Sequence, residues 1–514
     1  MSEADPKEPQ SPILRIARLI PDPVVIFMAL WPIFFLASVA LGGYSYEARS
    51  PTGGTVTQTI RDMSSRENVL WIVDNMIVQN WLAFGGGVLG IILMIVMAVG
   101  VAENSGLLGA LIKRAAAGIP ERFLGLAVVF LGVMSSLASD AGYLILVPLA
   151  GLLYASLGKH PLAGMAAAFA GVSAGFSANL IPGTTSDVIM GVNARAFAEA
   201  QGVPFTGSLG QALTPPTMTY WFTAASVFLL APVGAFVTHR FVEPRLKALS
   251  FEVPADLDVG EFRLSDAERR GLTWAGIGLV VALALVWLLA TGPLAAFDHP
   301  ETGQRVVPYL ERLVLLIGFV FLAVGTAFGF GAGTFRGIKD VVTGMVKQMN
   351  TMGYVIVLAF FAYNALSLFS YSGLGALLTN LGAGGLIALG LERVPVLLLL
   401  AFLLLTALVN LVVGGLTSKW LLLGPMFVPM LYTVNPAMTP DVVAAAYRVG
   451  DSVTNIITPM MIYSGVILAF MRRYVPPFTL GELFVMMFPF SVAFLIAWSA
   501  LLVLFFVGGV PFGF

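Results

Sequence analysis

Long apolar stretches separated by short polar ones run along almost the whole chain. A membrane-spanning helix needs about 20 mainly apolar residues. Uninterrupted stretches close to this length cover residues 24–41, 84–101, 221–237, 274–290, 313–329, 354–369 and 484–506. Two more apolar stretches, 162–187 and 444–466, are interrupted by asparagine, glycine and proline. The pattern predicts an all-α polytopic membrane protein with about nine transmembrane helices, two of them broken.

Two other apolar regions, 123–157 and 395–431, are too long for one ordinary crossing. Each contains a polar interruption, at 135–142 in the first region and at 410–420 in the second. A helix that enters the membrane and turns back at a polar tip accounts for this pattern better than two full spans, at about 20 residues per crossing. We therefore predict two re-entrant hairpins.

Basic residues predict the orientation. They concentrate in the loops 113–122, 240–270, 336–347 and 472–473, whereas 44–74 and 293–307 contain few. Because positive charge in short loops faces the cytoplasm, we expect a cytoplasmic N-terminus and an external C-terminus. The segments 105–122 and 336–347 are expected to form amphipathic helices at the membrane surface.

Six segments follow from this scheme. They are a cytoplasmic N-terminal segment (1–19), first spans with a surface helix (20–122), a first hairpin with a broken helix (123–200), connecting spans with a basic cytoplasmic loop at 239–271 (201–394), a second hairpin with a broken helix (395–471) and a final span (472–514).

Composition agrees with a membrane protein and excludes several functions. Of 514 residues, 58% are hydrophobic and 11% are charged, with a mean hydropathy of +0.91. The net charge of −1 argues against nucleic acid as a partner. The chain has no cysteine and three histidines, and it lacks nucleotide-binding and metalloprotease motifs. We expect no enzyme and no cofactor; an ion gradient of Na⁺ or H⁺ would supply the energy.

The two hairpin regions resemble each other. In 123–200 the polar tip Ser139-Asp140 is followed by an interruption at 178–183; in 395–471 the tip Ser418-Lys419 is followed by one at 454–459. Interrupted helices in corresponding halves of a chain are typical of secondary transporters with inverted repeats and a site near the membrane midplane. Chance similarity between glycine- and proline-rich membrane segments is the alternative.

The second repeat carries Lys419, Arg448 and Asp451 in a very apolar context. A charge at the bilayer centre costs about 2.5–3.5 kcal/mol on insertion scales, so each needs a partner, water or a task. We interpret Asn410 and Asp451 as ligands of a coupling cation, with Na⁺ as the candidate metal. Asn179 and Asn455 would assist them.

Arg448 has two interpretations. It lies three residues before Asp451, on the same helix face, so the two could form an intrahelical ion pair that lets both enter the membrane. Alternatively, Arg448 binds an anionic substrate while Asp451 handles Na⁺ or H⁺. Both interpretations can hold together.

Four other side chains remain open. Trp420 either stacks on an aromatic substrate or fills the core. Lys419 is a ligand group, a counter-charge to Asp451, or a residue placed where the hairpin tip reaches water. Asp140 and Asp187 are candidates for a proton relay, and otherwise line a polar vestibule.

Several motifs resemble the AbgT family of p-aminobenzoyl-glutamate transporters and sulfonamide exporters. They are Pro21-Asp-Pro23, Ser177-Ala-Asn-Leu with Gly183-Thr and Asp187, Thr417-Ser-Lys-Trp, Pro425 and Pro429, Tyr447-Arg-Val-Gly-Asp451-Ser, and Pro459. The resemblance covers essentially the whole chain. It implies a homodimer in the bacterial inner membrane, nine spans and two re-entrant hairpins per protomer, and gradient-driven transport of folate-pathway compounds.

The resemblance also implies functional residues. They are Asp187, Asn410, Thr417, Trp420, Pro440, Arg448, Asp451 and Pro459, and we assign Thr417, Ser418, Trp420, Pro440, Arg448 and Pro459 to substrate binding. Two departures concern this set. Gly183-Thr-Thr-Ser-Asp187 has one residue more than the family's Gly-Thr-x-Asp, and Thr417 replaces the usual serine, with Ser418 beside it.

The expected substrate is a small anionic aromatic compound such as p-aminobenzoyl-glutamate. Export of sulfonamide antimetabolites by proton antiport is the alternative. An ion or anion channel comes third, disfavoured by the non-identical tips at Asp140 and Lys419, because channel filters normally repeat identical rings.

Overall fold

The structure is a computed structural model, and it describes residues 22–49, 54–116, 120–135, 142–247, 249–253, 264–298, 305–458, 461 and 463–514. Helices dominate these residues, which confirms the predicted helical membrane fold. The helices are α1 (Pro23–Ala40), α2 (Arg66–Asn75), α3 (Phe84–Asn104), α4 (Leu107–Ala116), α5 (Leu124–Met134), α6 (Val147–Ser156), α7 (Pro161–Phe169), α8 (Thr185–Glu199), α9 (Tyr220–Val237), α10 (Asp266–Thr291), α11 (Leu313–Ala332), α12 (Ile338–Asn350), α13 (Gly353–Tyr371), α14 (Leu374–Ala388), α15 (Pro395–Asn410), α16 (Leu416–Val434), α17 (Pro440–Val453), α18 (Ser464–Arg472) and α19 (Leu480–Val507).

Short π-helical and 3₁₀ segments join or extend several of these helices. The π-helical segments are Val78–Leu82, Gly142–Leu146, Ala170–Ala174 and Thr238–Val242; the 3₁₀ turns are Glu121–Phe123, Pro215–Thr217 and Leu391–Arg393; single α-turns lie at Glu243–Leu246 and Pro308–Glu311.

Among the described residues, seven helices are long and apolar enough to span a membrane. They coincide with the seven uninterrupted stretches predicted from the sequence. Local signals define where they begin: Asp22 caps α1, accepting a hydrogen bond from the Val24 amide at 2.8 Å. Reciprocal capping boxes start α10 at Ser265 and α19 at Thr479.

Both predicted interruptions are present. The helix formed by α7 and its π-helical extension ends at Ala174, and α8 begins only at Thr185. In the second repeat α17 ends at Val453 and α18 begins at Ser464. Together with the seven continuous helices, these two broken helices match the predicted pattern of spans.

The predicted hairpins correspond to α5 with α6 and to α15 with α16. The first two helices have only 11 and 10 residues, whereas a full crossing needs about 20. These lengths fit re-entry in the first repeat. Re-entry, the inverted relation of the repeats and the exact number of crossings stay predictions.

Two strand pairs and two helices were not predicted. The polar segment 44–74 contains an antiparallel pair, β1 (Ser45–Arg49) and β2 (Thr55–Thr59), in which Ser45 lies opposite Thr59, followed by α2. A second short pair, β3 (Phe297–Asp298) and β4 (Arg305–Val306), lies in the segment 293–307. Helix α14 is apolar, but its 15 residues are too few for a span-length signal.

Two helices correspond to the predicted surface helices, with different bounds. Instead of 105–122, the first covers Leu107–Ala116, and its Lys113 binds Glu268 at the start of α10 at 2.9 Å. The second, α12, covers Ile338–Asn350.

The core lies around the broken helices, and the continuous helices α1 and α10 lie outside it. Every residue of α17 is buried, whereas α10 exposes large apolar side chains such as Val280 and Trp287. An apolar surface of this kind is stable only in contact with lipid or with another protein. Helix α17 packs between α15, α16, α8 and α19.

Candidate functional site

The first broken helix resumes at Asp187. The Thr184 side chain caps α8, and Asp187 completes a capping box: its Oδ2 accepts hydrogen bonds from the Thr184 amide at 2.9 Å and the Thr184 hydroxyl at 2.8 Å. This arrangement places a carboxylate at the positive end of a helix, where it is stabilised. The extra residue in Gly183-Thr-Thr-Ser-Asp187 lies between the Thr184 cap and the acid, and it places Asp187 at the third helical position, where it completes the capping box.

The other carboxylate oxygen of Asp187 binds Arg448 on α17. Arg448 Nη2 donates to Asp187 Oδ1, and Arg448 Nη1 donates to the Ser177 carbonyl at 3.2 Å. The described residues contain no ion pair between Arg448 and Asp451, so the intrahelical alternative is wrong. The partner of Arg448 comes from the other repeat because α17 packs against α8.

Asp451 pairs with Lys419 on α16. Lys419 Nζ lies 2.7 Å from Asp451 Oδ1, and both side chains are about as buried as any in the protein, 1% and 2% exposed. Lys419 Nζ also donates to Asn410 Oδ1. Of the three interpretations of Lys419, the counter-charge to Asp451 is the one that the structure confirms.

Asn410 connects the end of α15 to the break after α17. Its Nδ2 donates to Thr454 Oγ1 at 2.8 Å, to Asn455 Oδ1 at 2.9 Å and to the Asp451 carbonyl. Asn455 Nδ2 in turn donates to the Ser173 carbonyl of the first repeat at 3.2 Å. Asn410, Asp451 and Asn455 are thus brought together as predicted.

Asn179 lies in the first break and is buried. Its Oδ1 has no hydrogen-bond partner among the described residues, and the same holds for Ser177 Oγ and Arg448 Nε. Buried polar atoms normally find partners. Several such atoms around both breaks indicate a place where a ligand or an ion is received.

Trp420 occupies the core between α16, α17 and α8. Its Nε1 donates to the Met190 carbonyl at 3.2 Å, and its ring lies 4.7 Å from that of Tyr447 and 5.9 Å from that of Phe197. The side chain is fully buried. These contacts favour the core-filling interpretation in this conformation and connect α16 to α8.

The remaining predicted substrate residues lie at helix starts. Ser418 Oγ donates to the carbonyls of Gly414 at 2.9 Å and Gly415 at 3.2 Å, which secures the loop before α16. Thr417 is partly buried beside it. Pro440 is buried in the first turn of α17, about 12 Å along the helix from Arg448 at 1.5 Å per residue. Pro459 and Asp140 lie outside the described residues.

Sequence reasoning missed Asp441. This fully buried acid lies in the first turn of α17 and accepts a hydrogen bond from the Thr439 hydroxyl at 2.5 Å. The sequence signal was an acid directly after a proline at a helix start, where the helix dipole favours negative charge. The helix therefore explains its burial without a functional role.

Besides Asp441, the buried ionisable side chains near the two breaks form two ion pairs: Arg448 with Asp187, and Lys419 with Asp451. A buried pair is costly to desolvate and very costly to break, so a carboxylate arriving at Arg448 must replace that of Asp187. Among the described residues, no group of three or more His, Cys, Asp or Glu side chains could hold a metal ion. A monovalent cation held by amide and carboxylate oxygens remains compatible with Asn410 and Asp451.

Three comparisons agree on the family. The model of the "AbgT putative transporter family" matches residues 11–514. The chain is 28% identical over 501 residues to the p-aminobenzoyl-glutamate transport protein of Escherichia coli (strain K12), covering 97% of this chain and 94% of the relative.

Two solved structures share the fold. One is the YdaH transporter of Alcanivorax borkumensis, described as having an unusual topology; it is 35% identical, with a TM-score of 0.84 over 96% of this chain and 100% of that chain. The other is MtrF of Neisseria gonorrhoeae, described as representing a class of antimetabolite efflux pumps; it is 34% identical, with a TM-score of 0.84 over 96% of each chain. Both are transporters, which agrees with the expectation that the chain is not an enzyme and gives no support to the channel alternative. The chain belongs to the AbgT family of membrane transporters.

Proposed function

We propose that this transporter uses an ion gradient to move p-aminobenzoyl-glutamate or a related folate-pathway aromatic anion across the bacterial inner membrane. The observation that carries the proposal is the buried Arg448–Asp187 ion pair, which connects the two broken helices. The relative from Escherichia coli is a p-aminobenzoyl-glutamate transport protein. In the present chain, the Arg448 guanidinium offers a binding group for a carboxylate of such a substrate.

Asp187 and the substrate compete for Arg448 in this proposal. Arginine can bind a carboxylate through two parallel hydrogen bonds. One terminal nitrogen of Arg448, Nη2, already donates to Asp187, so a substrate carboxylate cannot form both bonds while this pair persists. When Asp187 takes up a proton or moves with α8, Arg448 becomes available to a glutamate carboxylate of the substrate. Binding and coupling are thereby linked at one side chain.

The coupling ion is either H⁺, carried by Asp187, or Na⁺, held by Asn410 and Asp451 with help from Asn179 and Asn455. The Asn179 amide oxygen, which has no partner among the described residues, and the cluster of Asn410, Asp451 and Asn455 support such a role. Thr417, Ser418, Trp420, Pro440 and Pro459 would shape the substrate pathway around these groups.

The proposal includes a homodimer with a cytoplasmic N-terminus and re-entrant hairpins. The short helices α5 and α6 support the hairpins. The broad apolar surface of α10 is available to lipid and to a second protomer.

Flux measurements test the proposal. The purified full-length chain is reconstituted into proteoliposomes, and uptake of radiolabelled p-aminobenzoyl-glutamate is followed under imposed Na⁺ or pH gradients. We expect accumulation above equilibrium that Arg448→Ala and Asp451→Ala abolish. The exposed Arg195, 54% accessible on α8, provides the matched control Arg195→Ala. Accumulation near wild type in either site variant would refute the assignment.

Export of sulfonamide antimetabolites is the second candidate. The similarity to MtrF, at 34% identity, favours it. Export predicts that radiolabelled sulfonamide leaves substrate-loaded vesicles when H⁺ enters, and that p-aminobenzoyl-glutamate does not accumulate. The same vesicles therefore distinguish the two directions.

A further inference from the structure

We propose that the Lys419 ammonium is a tethered cation that holds the coupling-cation position, so that a metal cation binds there only when Lys419 moves out. The inference rests on the proposed cation coupling and goes beyond it. It identifies a built-in competitor. Lys419 Nζ contacts both oxygens that we assign to the cation, Asn410 Oδ1 and Asp451 Oδ1.

The orientation of Asn410 follows from its hydrogen bonds. Its amide nitrogen faces three acceptors: Thr454 Oγ1, Asn455 Oδ1 and the Asp451 carbonyl. If the Asn410 amide were flipped, its oxygen would lie against the Asp451 carbonyl and Asn455 Oδ1, which are acceptors and repel it; only the Thr454 hydroxyl could donate to it. The amide oxygen therefore points at Lys419, and it keeps a fixed ligand position whether or not the ammonium is present.

The Asp451 carboxylate has unused ligand capacity at the same place. Its Oδ1 lies 2.7 Å from Lys419 Nζ, and the carboxylate is also hydrogen-bonded with the Tyr447 side chain. A carboxylate has about four lone-pair positions, so these two contacts leave room for a further ligand. A spherical cation such as Na⁺ would be bound equally well by this oxygen and by Asn410 Oδ1.

The Lys419 charge does not stabilise its own helix. It lies in the first turns of α16, which begins at Leu416. A cation near the positive end of a helix dipole is unfavourable. The loop before the helix turns at Gly415 with φ +83°, a conformation suited to glycine. Lys419 therefore lies beside a turn at the end of a long, flexible stem.

This arrangement has a consequence for the transport cycle. If no metal cation is bound, the ammonium neutralises Asp451, so a buried carboxylate is never left without a partner. If a metal cation binds, Lys419 must leave, and its displacement can be transmitted to α16. Two cations cannot occupy one position. The apparent affinity for the metal cation is therefore the intrinsic affinity multiplied by the fraction of molecules in which Lys419 has left the position.

The experiment measures cation binding without any organic substrate. Purified full-length protein is titrated with ²²Na⁺ in a scintillation proximity assay, and its thermal unfolding is compared in sodium chloride and choline chloride. The variants are Lys419→Met, Lys419→Met with Asp451→Asn, and Lys113→Met. Lys113 is the matched control, because it forms an ion pair of 2.9 Å with Glu268 away from this site.

We expect Lys419→Met to bind Na⁺ at least about tenfold more tightly than wild type, since the tethered competitor is gone. Na⁺ should also raise its unfolding temperature, whereas choline should not. The double variant should lose both effects, and Lys113→Met should behave as wild type. Unchanged or weaker Na⁺ binding by Lys419→Met, or a Na⁺ effect that survives in the double variant, overturns the proposal.

Failure of Lys419→Met to fold is also informative. Recovery of the folded variant in sodium but not in choline buffers supports the proposal, because Na⁺ then replaces the ammonium. Failure in both buffers, repeated with Lys419→Gln, overturns it. None of these outcomes depends on p-aminobenzoyl-glutamate or sulfonamide flux, so failure here leaves the proposed substrate unaffected.

Discussion

Arg448 of the second broken helix forms a buried ion pair with Asp187 of the first, across 261 positions of sequence. Both residues lie within a few positions of the point where their helices break. The two repeats of a secondary transporter move against each other around the site. Such a movement would change the distance between Arg448 and Asp187, because each belongs to a different repeat. In the proposed transport cycle the pair would connect the charge state of the site to the relative position of the repeats.

Replacement of Asp187 tests this connection. Asp187→Asn leaves Arg448 buried without its counter-charge, and we expect the free energy of unfolding to fall by about 3–5 kcal/mol. Thermal unfolding of the purified protein measures the loss. Glu199→Gln on the same helix is the control: its pair with Arg195 is more than half exposed on both sides, so a change of only about 0–1 kcal/mol is expected.

A double variant separates stability from transport. Asp187→Asn with Arg448→Met removes both charges, so most of the lost free energy of unfolding should return. Transport should not return, because the carboxylate-binding guanidinium is gone. Vesicle flux near wild type in this stable double variant would contradict the role of Arg448 in substrate binding.

Asn410 offers a second test, directed at the cation. Asn410→Ala removes the ligand oxygen and the three hydrogen bonds to the break after α17. We expect the Na⁺ concentration for half-maximal flux to rise by roughly 10–100-fold, as when a group supporting a metal site is lost. Asn380→Ala is the control, because Asn380 bridges α14 and β1 at the protein surface. An unchanged Na⁺ dependence would exclude Asn410 as a ligand.

The spans and breaks could be predicted because a bilayer allows few alternatives. An apolar stretch such as 313–332 has to form a helix that satisfies its own backbone hydrogen bonds. The asparagine–proline segments mark where the two broken helices are interrupted. The strands at 45–59 and the 15-residue helix α14 lacked a signal of comparable length.

The pairing of charges could not be predicted in the same way. Sequence spacing placed Arg448 next to Asp451, which is local information. The actual partners, Asp187 and Lys419, are chosen by the packing of α17 against α8 and α16. Sequence did identify which residues belong to the site, because charges in apolar helices are rare and need partners.

Trp420 gives a prediction about core packing. Trp420→Phe removes the hydrogen bond to the Met190 carbonyl, which lies inside α8 and keeps its place in the intrahelical hydrogen bonding, so the free energy of unfolding should fall by about 0.5–1.5 kcal/mol. The KM for substrate should stay within about twofold, since the aromatic face is retained. Trp287→Phe is the control, because Trp287 is 64% exposed on α10. A several-fold rise in KM without a loss of stability would instead mean that the indole contacts the substrate.

Gly450 lies between Arg448 and Asp451, where α17 crosses α15. A Cβ at this position would lie 2.5 Å from the Leu403 carbonyl oxygen and 2.8 Å from the Thr406 Cβ, so Gly450→Ala must push the two helices apart. Overpacking of this kind costs about 1–3 kcal/mol, and it displaces both charges without altering either. We expect reduced flux and a lower unfolding temperature. Gly276→Ala on α10, where a Cβ meets no atom within 4 Å, should leave both unchanged. Wild-type flux in Gly450→Ala would show that the site tolerates displacement of α17.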